Sequence, residues 1–160
     1  MAGEKGFTLW FTGLSGAGKT TISQLLEKEL RSRGSKLEIL DGDIVRENLS
    51  KGLGFSKEDR DTHVERVGWV ASRITRQGGA VITAAISPYA ETRQQARDWV
   101  EPVGTFVEVY IKGRLYPADR TDLAQIVLGI VVAGSWTGLA ARHYRQSRRR
   151  PGGRPSYSQR

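Results

Sequence analysis

The sequence has 160 residues, of which 38% are hydrophobic and 26% charged, the composition of one ordinary globular domain. It contains no cysteine, which excludes disulfides, thiolate metal sites and cysteine nucleophiles, and two histidines (His63 and His143), too few to favour a zinc site. The net charge of +8 lies entirely in the last third, because residues 1–111 hold 15 basic and 15 acidic residues. The excess positive charge therefore belongs to residues 112–160, and it does not indicate that the domain before them binds nucleic acid.

The first 111 residues predict alternating strands and helices. Strands are expected over Phe7–Thr12, Lys36–Leu40, Ala80–Ile86 and Thr105–Ile111. Helices are expected after the first strand, with Gly34 at the C-terminal cap, then over Ile44–Leu49, around Val64–Ile74 and over Glu91–Val100. This order predicts an α/β protein in which helices cover both faces of a parallel sheet.

The pattern changes after Ile111, so we divide the chain into a domain over 1–111 and a divergent tail over 112–160. Residues 123–141 carry no charge, which meets the minimum length for a membrane anchor. Their glycines and polar residues favour the alternative, a last buried strand over Ile126–Val132 with an adjoining helix. Residues 142–160 are rich in Arg, Gly, Pro and Ser and are expected to be disordered.

A phosphate-binding motif follows the first strand directly. Residues 13–20 match G-x-x-x-x-G-K-[ST], in which backbone N–H groups surround a polyphosphate at the start of a helix. In this motif Lys19 supplies a positive charge to the phosphates, and the Thr20 hydroxyl binds Mg²⁺. The motif therefore predicts a P-loop nucleoside-triphosphate hydrolase fold that binds a nucleoside triphosphate together with Mg²⁺.

Two aspartates, Asp41 and Asp43, follow the second strand at the sheet edge where open α/β proteins bind ligands. They are the best candidates to hold the metal with Thr20 or to orient an attacking hydroxyl. Either one is also a good N-cap for the following helix. We expect one to cap and the other to work, and we favour Asp43 as the working residue.

Several segments together resemble adenylylsulfate kinase, which phosphorylates the 3′-hydroxyl of adenosine 5′-phosphosulfate (APS) during sulfate assimilation. The matching segments are GLSGAGKTT at 13–21, LDGDIVR at 40–46, LGFSKEDR at 53–60 and ISPY at 86–89. Their order and spacing also match, and the similarity covers about residues 6–110. The third and fourth segments are far more specific to this family than a P-loop alone.

The resemblance implies a role for each matching position. ATP would be bound by Gly13, Leu14, Ser15, Gly16, Ala17, Gly18, Lys19, Thr20 and Thr21. APS would be contacted by Asp43, Arg46, Phe55, Arg60, His63, Ile86 and Ser87. Lys19, Asp43 and Ser87 are the candidate catalytic residues, although in-line transfer needs no phosphoserine at Ser87, whose hydroxyl has the alternative role of binding substrate.

Three departures from the family pattern stand out. His63 replaces the asparagine usual at an APS-binding position, and Glu65 replaces a cation. The family continues after the fourth strand with an adenine-contacting segment and a mobile lid, which residues 112–160 do not match. A chain without this lid is expected to bind ATP and to turn over slowly.

The leading interpretation is thus an adenylylsulfate kinase acting on APS, impaired if it lacks the lid. The alternatives are a P-loop kinase of another small metabolite and an inactive or membrane-tethered nucleotide-binding module anchored by 123–141. No signal peptide is visible, so we expect a cytoplasmic protein. We expect no nucleic-acid partner, because no fold that recognises RNA or DNA accompanies the arginine-rich tail. The sequence does not fix the oligomeric state, and a homodimer is one alternative.

Overall fold

The computed structural model describes residues 5–112 and 117–132. The elements in these ranges alternate as expected for an α/β protein. They are β1 (Phe7–Thr12), α1 (Lys19–Ser32), β2 (Leu37–Asp41), α2 (Gly42–Leu49), α3 (Lys57–Arg76), β3 (Ala80–Ala84), α4 (Ala90–Val100), β4 (Thr105–Tyr110) and α5 (Pro117–Val132).

The four strands form one parallel sheet in the order β2-β3-β1-β4. The two inner strands, β1 and β3, are almost wholly buried, as parallel strands covered on both faces should be. Ala84 at the end of β3 is in register with Phe11 of β1 and with Asp41 of β2. The loop after β1 and the aspartates after β2 therefore emerge at the same edge of the sheet.

Each face of the sheet has its own hydrophobic core, since alternate strand residues point to opposite faces. Leu9 and Phe11 of β1 belong to the core shared with α1 and α5, whereas Trp10 belongs to the core shared with α3 and α4. All three side chains are fully buried. The strand that carries the P-loop is thus held rigidly from both sides.

Most element boundaries agree with the sequence-based expectations. Gly34 follows the end of α1 with a φ of 84°, in the position expected for a glycine cap. The third strand ends at Ala84 rather than Ile86, because its pairing with β1 and with β2 stops there, where Asp41 already begins α2 as its N-cap.

The strand expected over Ile126–Val132 is wrong, because these residues are helical. They end α5, which packs against α1 and begins with proline at the first helical position, where no intrahelical bond is lost. Its buried residues recur at helical spacing and complete the core on that face: Leu123, Ala124, Val127 and Leu128. Packing against α1 thus outweighs the strand propensity of a run of β-branched residues.

Within the described ranges no helix is both long enough and apolar enough to cross a membrane. Residues 133–141 of the expected anchor, the expected disordered segment 142–160 and His143 lie outside the described residues.

Candidate active site

A cleft of about 480 Å³ opens at the carboxyl edge of the sheet, between the P-loop and the segments that follow β2 and β3. It brings together residues from every motif that the sequence analysis singled out. Its lining includes Ser15, Gly16, Gly18, Lys19, Thr20, Thr21, Asp41, Asp43, Arg46, Phe55, Arg60, His63, Ile86 and Ser87. The other predicted P-loop residues, Gly13, Leu14 and Ala17, form the frame of the loop rather than this lining.

The P-loop depends on glycine at its two ends. Gly13 has a φ of 146°, and a Cβ there would lie 2.5 Å from the carbonyl oxygen of Ile111. Gly18, with a φ of 105°, is the left-handed residue that precedes the first turn of α1. These conformations, which other residues adopt only with strain, turn the chain from β1 into a helix N-terminus that faces the cleft.

Lys19 is buried at the base of the cleft. Its Nζ donates hydrogen bonds to the carbonyl oxygens of Gly13 and Leu14, at 2.7 and 2.8 Å. Burial lowers the pKa of this ammonium, and the nearby carboxylates of Asp41 and Asp43 act in the opposite direction. The cation therefore lies between the phosphate loop and the two aspartates, the position needed to neutralise charge on a bound polyphosphate.

Thr20 and Asp41, the two candidate metal ligands, are in direct contact. The Thr20 hydroxyl donates to Oδ2 of Asp41 at 3.0 Å. A hydroxyl and a carboxylate are hard oxygen donors, and Mg²⁺ is usually held by one or two such groups together with phosphates and water. The pair therefore fits Mg²⁺ bound with a nucleotide, and the described residues contain no group of three or more acidic, His or Cys side chains suited to a metal by itself.

The two aspartates differ in their hydrogen bonding. Oδ1 of Asp41 accepts a 3.0 Å hydrogen bond from the backbone N–H of Asp43, so Asp41 is the N-cap of α2. Asp43 lies in the first turn of α2, exposed to solvent. The carboxylate of Asp43 is thus available to a ligand in the cleft.

Phe55 presents an exposed ring beside two arginines at the other end of the cleft. The guanidinium carbons of Arg46 and Arg60 lie 4.9 and 5.8 Å from the ring centroid. Arg46 donates to the carbonyl of Gly54 at 2.8 Å, and Arg60 to that of Phe55 at 2.9 Å. A guanidinium has five N–H donors, so these bonds fix both cations without exhausting them. The group offers a stacking surface flanked by positive charge.

His63 is buried beside this group and connects both ends of α2. Its Nδ1 is 2.9 Å from Oγ of Ser50, and the ring also hydrogen-bonds the backbone of Gly42. Burial lowers the pKa of His63, followed by the charge of Arg46 and, more weakly, of Arg66, while the Gly42 bond and Asp43 oppose the shift. His63 therefore lines the cleft as an imidazole whose pKa is lowered, chiefly by burial.

Ser87 also lines the cleft, but its hydroxyl is engaged. The Trp10 indole N–H donates to Oγ of Ser87 at 3.0 Å, and the hydroxyl itself points at the Ala85 carbonyl at 3.5 Å. The residue is only 2% exposed and has a φ of 36°. The carbonyl of Ile86 accepts a 2.8 Å bond from Thr12. This arrangement is that of a firmly held wall residue.

Arg120 of α5 is a cleft residue that the sequence analysis missed. It lines the cleft, and its Nε is buried without a hydrogen-bond partner among the described residues. That Nε would lie 3.0 Å from a Cβ added to Gly18, so the guanidinium lies against the P-loop. A buried donor without a partner is uncommon, and here it belongs to a residue that lines the cleft. The only available signal was one arginine in a segment without a clear period.

The model of the family described as adenylylsulphate kinase matches residues 5–128. The chain belongs to the adenylylsulfate kinase family. The match extends past β4 and through most of α5, beyond the region over which the motifs resemble the family.

Individual relatives agree with this assignment. An adenylyl-sulfate kinase of a Picosynechococcus species is 55% identical over 120 residues, which are 75% of this chain and 66% of the relative. The hexameric APS kinase of Thiobacillus denitrificans has a TM-score of 0.71 at 42% identity, covering 82% of this chain and 30% of that one. The APS kinase CysC of Mycobacterium tuberculosis, in complex with AMPPNP and APS, has a TM-score of 0.66 at 34% identity, covering 91% and 86%.

These structural relatives confirm the P-loop nucleoside-triphosphate hydrolase fold expected from the motif. The chain spans about two thirds of the length of the curated adenylylsulfate kinases that it matches, 66% for the Picosynechococcus protein.

Proposed function

We propose that this chain transfers the γ-phosphoryl group of ATP to the 3′-hydroxyl of adenosine 5′-phosphosulfate. The observation that carries the proposal is that one cleft joins the P-loop to Asp43, Phe55, Arg60 and Ser87. Phosphoryl transfer depends on positioning and charge neutralisation, and both require donor and acceptor to share such a cleft.

The ATP side of the proposal rests on the P-loop and Lys19. The N–H groups at the start of α1 and the Lys19 ammonium suit the β- and γ-phosphates. Thr20 and Asp41 would hold Mg²⁺, which when bound neutralises negative charge on these phosphates. Arg120 would add a second cation against Gly18, on the side of α5.

The acceptor side rests on Phe55 and its two arginines. APS combines an adenine ring with an anionic phosphosulfate, and the exposed Phe55 ring and the guanidiniums of Arg46 and Arg60 match these two features. Asp43 is exposed and lines the same cleft, and it is near enough to Lys19 and to His63 for its charge to act on both. It is suited to orient the 3′-hydroxyl and accept its proton.

The proposed test is a coupled assay of ADP release with MgATP and APS, in which the phosphorylated product is identified by chromatography. Lys19→Ala should abolish APS-dependent release, whereas Lys28→Ala, a matched change on the exposed face of α1, should not. AMP as the acceptor should react poorly because it lacks the sulfate. ADP release that ignores APS would refute the proposed substrate, and a Lys19→Ala variant with unchanged activity would refute the P-loop assignment.

Two further properties are part of the same proposal. An ATP-dependent reaction of a small anionic metabolite fits the cytoplasm, and recovery of the native protein in the membrane fraction would contradict this location. We propose a homodimer as the smallest assembly, given that the solved relative from Thiobacillus denitrificans is described as hexameric. Light scattering after size exclusion at several protein concentrations tests this, and a monomer throughout would overturn it.

A further inference from the structure

Ser87 occupies a conformation that non-glycine residues rarely adopt, with a φ of 36°. It lies in the turn between β3 and α4, and the turn residues Ile86, Ser87 and Pro88 form one wall of the cleft. Such a conformation persists only where the surrounding structure over-determines it. The contacts of Ser87 therefore indicate what sets the shape of this wall.

Three buried or partly buried donors hold the turn. The Trp10 indole N–H binds the Ser87 hydroxyl at 3.0 Å. The Thr12 hydroxyl lies 2.8 Å from the carbonyl oxygen of Ile86 and 3.2 Å from that of Ser87. Nη1 of Arg93, from α4, donates to the Ser87 carbonyl at 2.9 Å. The arginine bond is the one that carries a full charge, and charged donors form the stronger hydrogen bonds.

Arg93 is held in turn by Glu108 of β4. Their Nε and Oε1 atoms are 2.7 Å apart, and each side chain is about one fifth exposed, 19% and 20%. Glu108 is in register with Trp10 on the neighbouring strand, so both side chains lie on the same face of the sheet. Trp10 reaches the Ser87 hydroxyl directly, while Glu108 reaches its carbonyl through Arg93.

We propose that Arg93, braced by Glu108, is a positioning residue that fixes Ser87 and thereby the acceptor wall of the cleft. Arg93 is not among the residues lining the cleft, so it acts through Ser87 rather than by touching substrate. The identity of the acceptor rests on the proposed function, but the bond between Arg93 and Ser87 does not.

The first test compares Arg93→Met with Arg97→Met. Arg97 lies one turn further along α4 and also faces Glu108, at 3.5 Å, but makes no bond to Ser87. Arg93→Met should raise KM for APS about tenfold and leave ATP affinity and kcat within about twofold, the loss expected for one charged hydrogen bond. Arg97→Met should leave all three unchanged, and an equal KM effect in both variants would overturn the proposal. Glu108→Gln, which keeps the shape of the side chain, should act in the same direction as Arg93→Met and serves if the latter folds poorly.

The second test repeats Arg93→Met in a Ser87→Gly background. Glycine adopts a positive φ without strain, so the turn no longer needs the arginine to the same extent. The tenfold effect of Arg93→Met on KM should fall to below about threefold, whereas a general effect on stability would be additive. An undiminished effect in the Ser87→Gly background would overturn the positioning role.

The third test does not depend on catalysis. Hydrogen exchange of the Trp10 indole N–H, assigned by comparison with Trp10→Phe, should be faster in Arg93→Met than in the wild type and in Arg97→Met. If exchange accelerates but the wild type binds no APS, the positioning role stands and the proposed function fails. Unchanged exchange in Arg93→Met would overturn the positioning role.

Discussion

Thr20 in the first turn of α1 donates a 3.0 Å hydrogen bond to Asp41 at the end of β2, although β3 lies between β1 and β2 in the sheet. The other oxygen of Asp41 caps α2 through the N–H of Asp43. A single carboxylate therefore links the P-loop helix to the helix that carries Asp43 and Arg46. Substitutions of Asp41 should affect both the Mg²⁺ requirement of the reaction and the free energy of unfolding, and these two effects can be separated.

Asp41→Asn should weaken metal use without much loss of stability. Asparagine caps helices about as well as aspartate, whereas Asp41→Ala should lower the free energy of unfolding by about 1 kcal/mol. Both variants should need more Mg²⁺ for half-maximal activity, since both lose the charge. Urea unfolding and a Mg²⁺ titration of ADP release measure the two effects, with Asp98→Asn on the exposed face of α4 as the control. An unchanged Mg²⁺ requirement in Asp41→Asn would argue for a capping role only.

Arg120→Met should weaken ATP binding about tenfold, because it removes a cation that lies against the P-loop and whose buried Nε has no hydrogen-bond partner among the described residues. KM for APS should change little, since Arg120 lies against Gly18 rather than near Phe55. Calorimetric titration with a non-hydrolysable ATP analogue measures the affinity. Gln125→Ala, at an exposed position of the same helix, controls for changes in α5, and equal affinities in the two variants would reduce Arg120 to a packing residue.

Phe55→Leu should raise KM for APS about tenfold while ATP affinity stays the same. Leucine keeps apolar bulk but removes the aromatic face, and stacking of a base on such a ring contributes about 1–3 kcal/mol. Trp69→Leu is the matched control, because Trp69 is another exposed aromatic with an arginine over its ring, at 5.4 Å, on α3. Comparable KM changes in both variants would contradict a specific role for Phe55.

The stability of the protein should fall as the pH falls through about 6.5, the ordinary pKa of histidine, because of His63. Since burial lowers the pKa of His63 in the folded state, the unfolded state binds the proton at higher pH, and acid therefore favours unfolding. The loss continues until the pH passes below the folded-state pKa, with about 1.4 kcal/mol for each unit of difference. The free energy of unfolding, measured with urea at several values between pH 5 and 8, should depend more steeply on pH in the wild type than in His63→Asn. An identical pH dependence in the two proteins would exclude His63 as the cause.

Local chemistry allowed the donor half of the site to be predicted from the sequence. The P-loop is specified within eight consecutive residues, because its backbone conformation depends on Gly13 and Gly18. The position of Asp41 follows from the parallel sheet, which brings the carboxyl ends of neighbouring strands to one edge. The assignment of Phe55 and Arg60 to the cleft required the family resemblance, since an aromatic and an arginine on a loop and a helix start have no distinctive spacing.

Contacts between distant segments could not be predicted in this way. The hydrogen bonds from Trp10 and Arg93 to Ser87 join β1, α4 and the turn after β3. The residues next to Ser87 give no sequence signal for its positive φ. Arg120 was missed for the same reason, because its importance comes from the packing of α5 against α1. The Ile126–Val132 segment was assigned to the wrong element because short apolar β-branched runs do not distinguish strand from helix.

The strand order of the sheet also has a consequence for how the chain folds during its synthesis. Among the strands of the sheet, β1 with its P-loop is synthesised before its partners β3 and β4. Pairings between such distant segments fold slowly, and until they form the apolar β1 strand has unpaired edges that favour aggregation. Because Ile111 packs against Gly13, the nucleotide loop is complete only after β4 has been added. During synthesis, ATP binding should therefore mark the end of folding rather than guide its beginning.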